Sequence, residues 1–231
     1  MSDIKKIYDD MWNNSICRFK ENQYETDPLI NSTEDNRRGL TVLSYLSPDT
    51  GEKIGGFLDE LRSIEPLQYY YPENELHLTV LSIITCQQGF TLSDIDAPAY
   101  AGVFADAVKD LPPFTIKYTG ITASSSCILI QGFPESGQLN VLRSRLRDGF
   151  KKAALPTSID LRYKISTAHT TAVRFRREVH NSEKFIKILY KYRNFDFGTV
   201  TIDKLELVFN NWYQNLSHTK QLSHCELRKI Q

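Results

Sequence analysis

The chain has 231 residues, 41% of them hydrophobic and 11% aromatic, and its 28 basic side chains are offset by 28 acidic ones. That length buries a full core, as one large domain or two small lobes. Zero net charge excludes the broad basic field that holds long polyanions by counterion release, so DNA binding along its length is not expected and any nucleic-acid partner should be met at a local site. No apolar run approaches the roughly 20 residues that span a bilayer, and the first ten residues alternate charge with apolar side chains, unlike a secretory leader; the expectation is a soluble cytoplasmic protein with no membrane partner.

Taken in chain order, Ile4, Ile7, Tyr8, Met11, Trp12 and Phe19 form the stripe of an amphipathic helix, followed by polar, turn-rich sequence from Asn22 to Arg38. Residues 1–38 are expected as an N-terminal helical extension that packs on the core and adds no chemistry. From Gly39 the period changes. Leu40–Leu46 is a short β-rich run stopped by Ser47–Gly51, and Ile54, Phe57, Leu58, Leu61 and Ile64 repeat at helical spacing up to Pro66. Leu76–Ile84 reads as a strand apolar on both faces, hence a central one.

A second helix is expected from Pro98 to Asp110, then strands at Phe114–Tyr118 and Cys127–Gln131. Leu139, Leu142, Leu146 and Phe150 mark a third core-facing helix. Next come a strand at Ala168–Phe175, a helix carrying Phe185, Ile188, Leu189 and Tyr192, a β-rich stretch from Thr199 to Asn210, and a last strand from Cys225 to Ile230. This irregular alternation predicts an α+β fold with mainly antiparallel sheets, in a single domain over residues 39–231. The scattered Cys17, Cys86, Cys127 and Cys225 contain no CxxC pair and are expected as buried free thiols.

Two segments carry chemistry. Side chains two apart on a strand share a face, so His77 points with Thr79 and His169 with Thr171, each pair about 7 Å apart along its strand. Side by side around a cleft, these strands would converge two imidazoles and two hydroxyls on one phosphoryl-sized volume. Histidine suits both the proton-accepting and the proton-donating role near neutrality, and threonine hydroxyls hold phosphoryl oxygens without adding charge. No metal or cofactor is called for, and which histidine is acid or base stays open. His180-Asn-Ser182 has the same text, but it precedes a helical stripe and reads as a surface residue before an N-cap.

At His77-Leu78-Thr79-Val80 and His169-Thr170-Thr171-Ala172 the sequence resembles the two-histidine (2H) phosphoesterase superfamily, which includes RNA 2′,3′-cyclic phosphodiesterases historically called 2′-5′ RNA ligases, and within it a divergent bacterial branch. The likeness runs from about Arg38 to the C-terminus. It implies a bilobal fold of two sheets with helices outside, pseudo-two-fold symmetry and a central cleft. It also implies metal-independent catalysis by His77 and His169, and phosphate binding by Thr79 and Thr171.

Weaker features are weighed beside these. Tyr69 and Tyr71 are candidates to line the substrate site. Arg174 falls on the opposite face of a regular strand from His169 and is set aside as a phosphate ligand. Arg143, Arg145, Arg147, Lys151 and Lys152 read as a solvated helix face. His218 and His224-Cys225 match no zinc spacing, and Gly55-Gly56 reads as close packing.

The expected function is metal-independent hydrolysis of a cyclic phosphate or phosphodiester of a small nucleotide or RNA terminus, a 2′,3′-cyclic phosphate first, with 2′-5′ ligation as the reverse possibility. The alternatives are a nucleotide- or RNA-end-binding module without turnover and mutarotase-type acid-base chemistry on a sugar. A monomer is favoured.

Overall fold

The computed structural model describes residues 3–228. Helix α1 (Asp3–Lys20) forms on the opening stripe and buries Tyr8, Trp12, Ile16 and Phe19. There follow β1 (Arg37–Tyr45), α2 (Pro48–Ile64), β2 (Tyr69–Tyr70), β3 (His77–Gln88), α3 (Ala97–Val108), β4 (Phe114–Ser124) and β5 (Cys127–Pro134). The chain continues through α4 (Gln138–Lys152), β6 (Thr170–Arg174), α5 (Ser182–Tyr192), β7 (Asp196–Ile202), β8 (Lys204–Asn211) and β9 (Lys220–Glu226). Pro48 and Pro98 lie in the first turns of their helices, where a missing N–H goes unnoticed. No helix among the described residues is long and apolar enough to cross a membrane.

The strands form two antiparallel sheets, ordered β3-β1-β8-β9 and β2-β6-β5-β4-β7, as the α+β reading requires. Without β2 the two orders correspond place by place. β3 matches β6 and β1 matches β5, and the paired strands are joined through α2 in the first sheet and α4 in the second. The helices are exchanged between the sheets. α2 packs on β6, β7 and α5, while α4 packs on β3 and α3. α1 lies on β4 and α5.

Four sequence expectations are corrected. The strand expected to be central, β3, ends the order of its sheet; its apolar faces are covered by α4 and the facing sheet, and its free edge is capped. Ser158 N–H donates to Ile83 O at 2.9 Å, and Thr85 N–H donates to Ser158 Oγ at 2.6 Å. Such capping is how an edge strand is kept from pairing with another chain. The β-rich stretch 199–210 is two strands in different sheets. β7 pairs with β4, the chain crosses at Asp203, and β8 pairs with β1 and β9. The last strand is β9, mostly exposed and without the apolar alternation that would have revealed it; the end of the expected Cys225–Ile230 strand falls outside the described residues. All four cysteines are free, but only Cys127 is fully buried, and Cys17 lies on the exposed face of α1.

The glycines at Gly55 and Gly132 are close-approach points. A Cβ on Gly55 would meet the movable carboxyl end of Glu73, and one on Gly132 would collide with the backbone carbonyl of Ala168, the residue before His169.

Candidate active site

His77 opens β3 and is 6% exposed. Its Nδ1 lies 2.7 Å from Glu75 O. A carbonyl only accepts, so Nδ1 carries the proton and Nε2 of the neutral ring presents a lone pair. Tyr45 and Tyr71 flank the ring edge-on, with centroids 6.4 and 6.2 Å away. The Glu75 side chain is itself fixed, accepting from Leu216 N–H at 2.9 Å, Asn215 Nδ2 at 3.2 Å and Tyr69 OH at 3.3 Å.

His169 stands one residue ahead of β6, not inside the strand as expected, on a segment gripped at every residue. Thr167 O accepts from Arg143 Nη2 at 2.7 Å, and Ala168 N–H donates to Tyr8 OH at 3.1 Å. The Thr167 hydroxyl meets His169 Nδ1 at 2.8 Å, and Thr170 Oγ1 donates to His77 O at 3.0 Å. A hydroxyl can give or take a proton, so this partner leaves either tautomer open to His169. The last of these bonds joins the two motifs directly.

Both motif strands carry a β-bulge at the same place. Val42 and Leu43 face Leu81 and Thr79, leaving Val80 extra; Ile128 and Leu129 face Val173 and Thr171, leaving Ala172 extra. Each extra residue is the apolar one after the motif threonine. Its carbonyl finds a donor outside its sheet partner, Arg143 Nε at 2.8 Å for Val80 O and Tyr71 N–H at 3.1 Å for Ala172 O.

A bulge reverses the facing of the residues beyond it. Arg174, expected on the far face, is thereby turned to the same cleft as His169 and Thr171. Its Nε donates to Tyr71 OH at 3.0 Å.

The cleft between the sheets has a volume of about 600 Å³, and Thr79, His169, Thr171 and Arg174 line it together. The His77 ring is not part of that lining and is buried between Tyr45 and Tyr71. Arg174 nevertheless depresses the pKa of both histidines, and His77 that of His169, so the rings share one electrostatic neighbourhood. Burial is the largest cause of each shift and takes each imidazole from its ordinary 6.5 to about 4; Arg143 adds to the effect on His169. Burial thus favours the neutral form of both rings.

Tyr69 and Tyr71 do not line the cleft. Tyr71 is 2% exposed and acts on Arg174, while Tyr69 belongs to the Glu75 network behind His77. Arg143 departs furthest from its sequence reading. It is 2% exposed and spans the gap between β3 and the segment before His169, and burial lowers its pKa to about 10.

The N-terminal helix also reaches the site, since Ile7 and Met11 form part of the cleft wall, beside Tyr8 whose hydroxyl holds Ala168. Asn210, Trp212 and Gln214 also line the cleft. His180 is exposed, ahead of the Asn181 N-cap as expected. Among the described residues no group of three or more His, Cys, Asp or Glu side chains is placed to hold a metal ion.

No protein-family model matches the chain, and no curated protein matches it. Solved structures do. A structure described as a phosphoesterase superposes with a TM-score of 0.56 at 15% identity, over 84% of this chain and 99% of its own. TT0787 of Thermus thermophilus gives 0.56 at 16% identity, over 82% and 98%. E. coli LigT complexed with 3′-AMP gives 0.57 at 14% identity, over 84% and 99%.

Proposed function

From the fold of the two-histidine phosphoesterases, which this chain shares, we propose that the cleft hydrolyses a cyclic phosphate or phosphodiester of a nucleotide or RNA end, a 2′,3′-cyclic phosphate first, by acid-base catalysis between His77 and His169. The observation that carries the reading is the bond from Thr170 to His77 O, which ties the His77 segment to the one whose His169 and Thr171 line the cleft with Thr79 and Arg174.

In the proposed reaction Arg174 and the threonine hydroxyls hold the phosphoryl oxygens. The guanidinium offers a planar pair of donors and an unvarying charge. Nε2 of His77 accepts a proton from water as its oxygen bonds to phosphorus; the ring P–O bond breaks, and the freed oxygen takes a proton from His169. Solvent returns both histidines to their starting state. His77 is assigned as base because its Nδ1 proton is committed to Glu75 O. An anionic substrate opposes the burial effect and raises the pKa of His169, which favours the protonated form the acid needs. The LigT complex with 3′-AMP supports a nucleotide-sized ligand. Four free thiols suit the reducing cytoplasm as the place of action.

The test is incubation of the purified protein with nucleoside 2′,3′-cyclic phosphates in excess chelator, read by chromatography. A nucleoside monophosphate should appear. Intact substrate after prolonged incubation at high enzyme concentration overturns the proposal.

A further inference from the structure

We infer that the cleft contains a second anion subsite, built from Arg162 over the Trp212 indole and from Lys164 two residues on, that takes a phosphate carried by the same ligand away from the reacting group. The inference rests on the proposed nucleotide chemistry for the identity of the ligand, and on charge pairing for the existence of the subsite.

The chain as a whole is neutral, but the cleft is not. Two carboxylates line it, and each is matched by a cation outside the lining or at its margin: Glu25 by Arg18 at 3.2 Å and Asp160 by Arg147 at 2.6 Å. Three cations line the inner and outer cleft, Arg162, Lys164 and Arg174, and among the described residues none of them forms an ion pair. Arg174 is committed to the histidine end, where Tyr71 fixes it. Arg162 and Lys164 are exposed and form no ion pair among the described residues; Lys164 acts on Asp160 only at longer range, and that carboxylate is already held by Arg147.

Trp212 ties the two ends together. The guanidinium carbons of Arg162 and Arg174 lie 5.3 and 6.0 Å from its ring centroid. A third guanidinium, Arg37 at 5.4 Å, is already neutralised by Asp35 at 2.9 Å and Asp27 at 3.1 Å. Gathering uncompensated like charges around one indole costs free energy through mutual repulsion, and an anion relieves it. One reacting phosphate satisfies Arg174. A second negative group is needed for Arg162 and Lys164, and the indole surface between Arg174 and Arg162 suits the base or sugar between two phosphates. Nucleoside bisphosphates and polynucleotide ends both carry a second phosphate in this relation.

The test is equilibrium titration of adenosine 3′-monophosphate, adenosine 3′,5′-bisphosphate and a diadenosine ending in a 3′-phosphate. The proteins are the wild type and the double variant Arg162→Ala/Lys164→Ala, whose exposed positions leave the fold intact by thermal melting. The bisphosphate should bind wild type at least tenfold more tightly than the monophosphate, and the double variant should bind the two alike with monophosphate affinity unchanged. A gain shared by the dinucleotide points to a polynucleotide end; a gain confined to the bisphosphate points to a free nucleotide. Both support the subsite. Equal wild-type affinities, an advantage that survives the double substitution, or no binding of any of the three overturns it. Turnover is not read, so a failure to open cyclic phosphates sinks the proposed reaction alone.

Discussion

The hydroxyl of Thr170 donates to the carbonyl of His77 across 3.0 Å, so the residue after one histidine holds the backbone of the other. Thr170→Val keeps the shape and removes the donor. A buried carbonyl losing such a partner costs about 1–2 kcal/mol, and the histidine spacing loosens. Urea unfolding should show that loss and turnover of a cyclic phosphate should fall about tenfold; unchanged turnover would mean that this bond does not set the distance between the rings.

Substitution of either histidine tests the proposed chemistry. His77→Ala and His169→Ala should each lower kcat by at least about 10²-fold, the contribution of one placed proton-transfer group. Circular dichroism distinguishes this from unfolding. Full activity in either folded variant rules out the acid-base pair.

Stability should depend on pH through the same rings. Each histidine has a folded pKa near 4, against 6.5 when exposed. Between those values the unfolded chain binds protons that the folded chain does not, so stability is complete above pH 6.5 and declines as pH falls toward 4. For the buried His77 alone the full decline is about 3 kcal/mol. Thermal melts of His77→Gln should show a shallower acid slope than wild type; identical slopes would place the effect elsewhere.

Arg174 lowers the pKa of both histidines. Arg174→Met should therefore move the acidic limb of the kcat/KM profile to higher pH as well as raise KM. A rise in KM with no movement of the limb would make Arg174 a ligand for phosphate only.

Arg143→Met removes the donors to Val80 O and Thr167 O. About 2–3 kcal/mol of stability should be lost as two buried carbonyls go unpaired, visible as a lower urea midpoint. A variant as stable as wild type would show that water replaces the guanidinium.

The placing of Thr79, His169 and Thr171 at one cleft and the antiparallel α+β architecture were legible in the sequence because each rests on a local pattern: period-two side chains, helical stripes, proline breaks. What was hidden is long-range. The bulges at Val80 and Ala172 leave no mark in the apolar pattern, yet they turn Arg174 into the cleft. Arg143 looked like one charge in a solvated run, because its carbonyl partners lie on β3 and before β6. Tyr69 and Tyr71 were near the right place, but they hold the groups that meet the cleft and do not face it themselves. The role of α1 was missed because nothing in Ile7 and Met11 distinguishes a packing stripe from a wall open to a ligand.

The helices that connect the matching strand pairs each rest on the opposite sheet, α2 on β6 and β7, α4 on β3. Each repeat thus keeps its own hydrogen-bond ladder but borrows its apolar cover from its twin. Neither half expressed alone has a closed core, and the two should unfold in one cooperative step. The interlacing is also what fixes the halves, and the two His-x-Thr segments they contribute, in a single alignment.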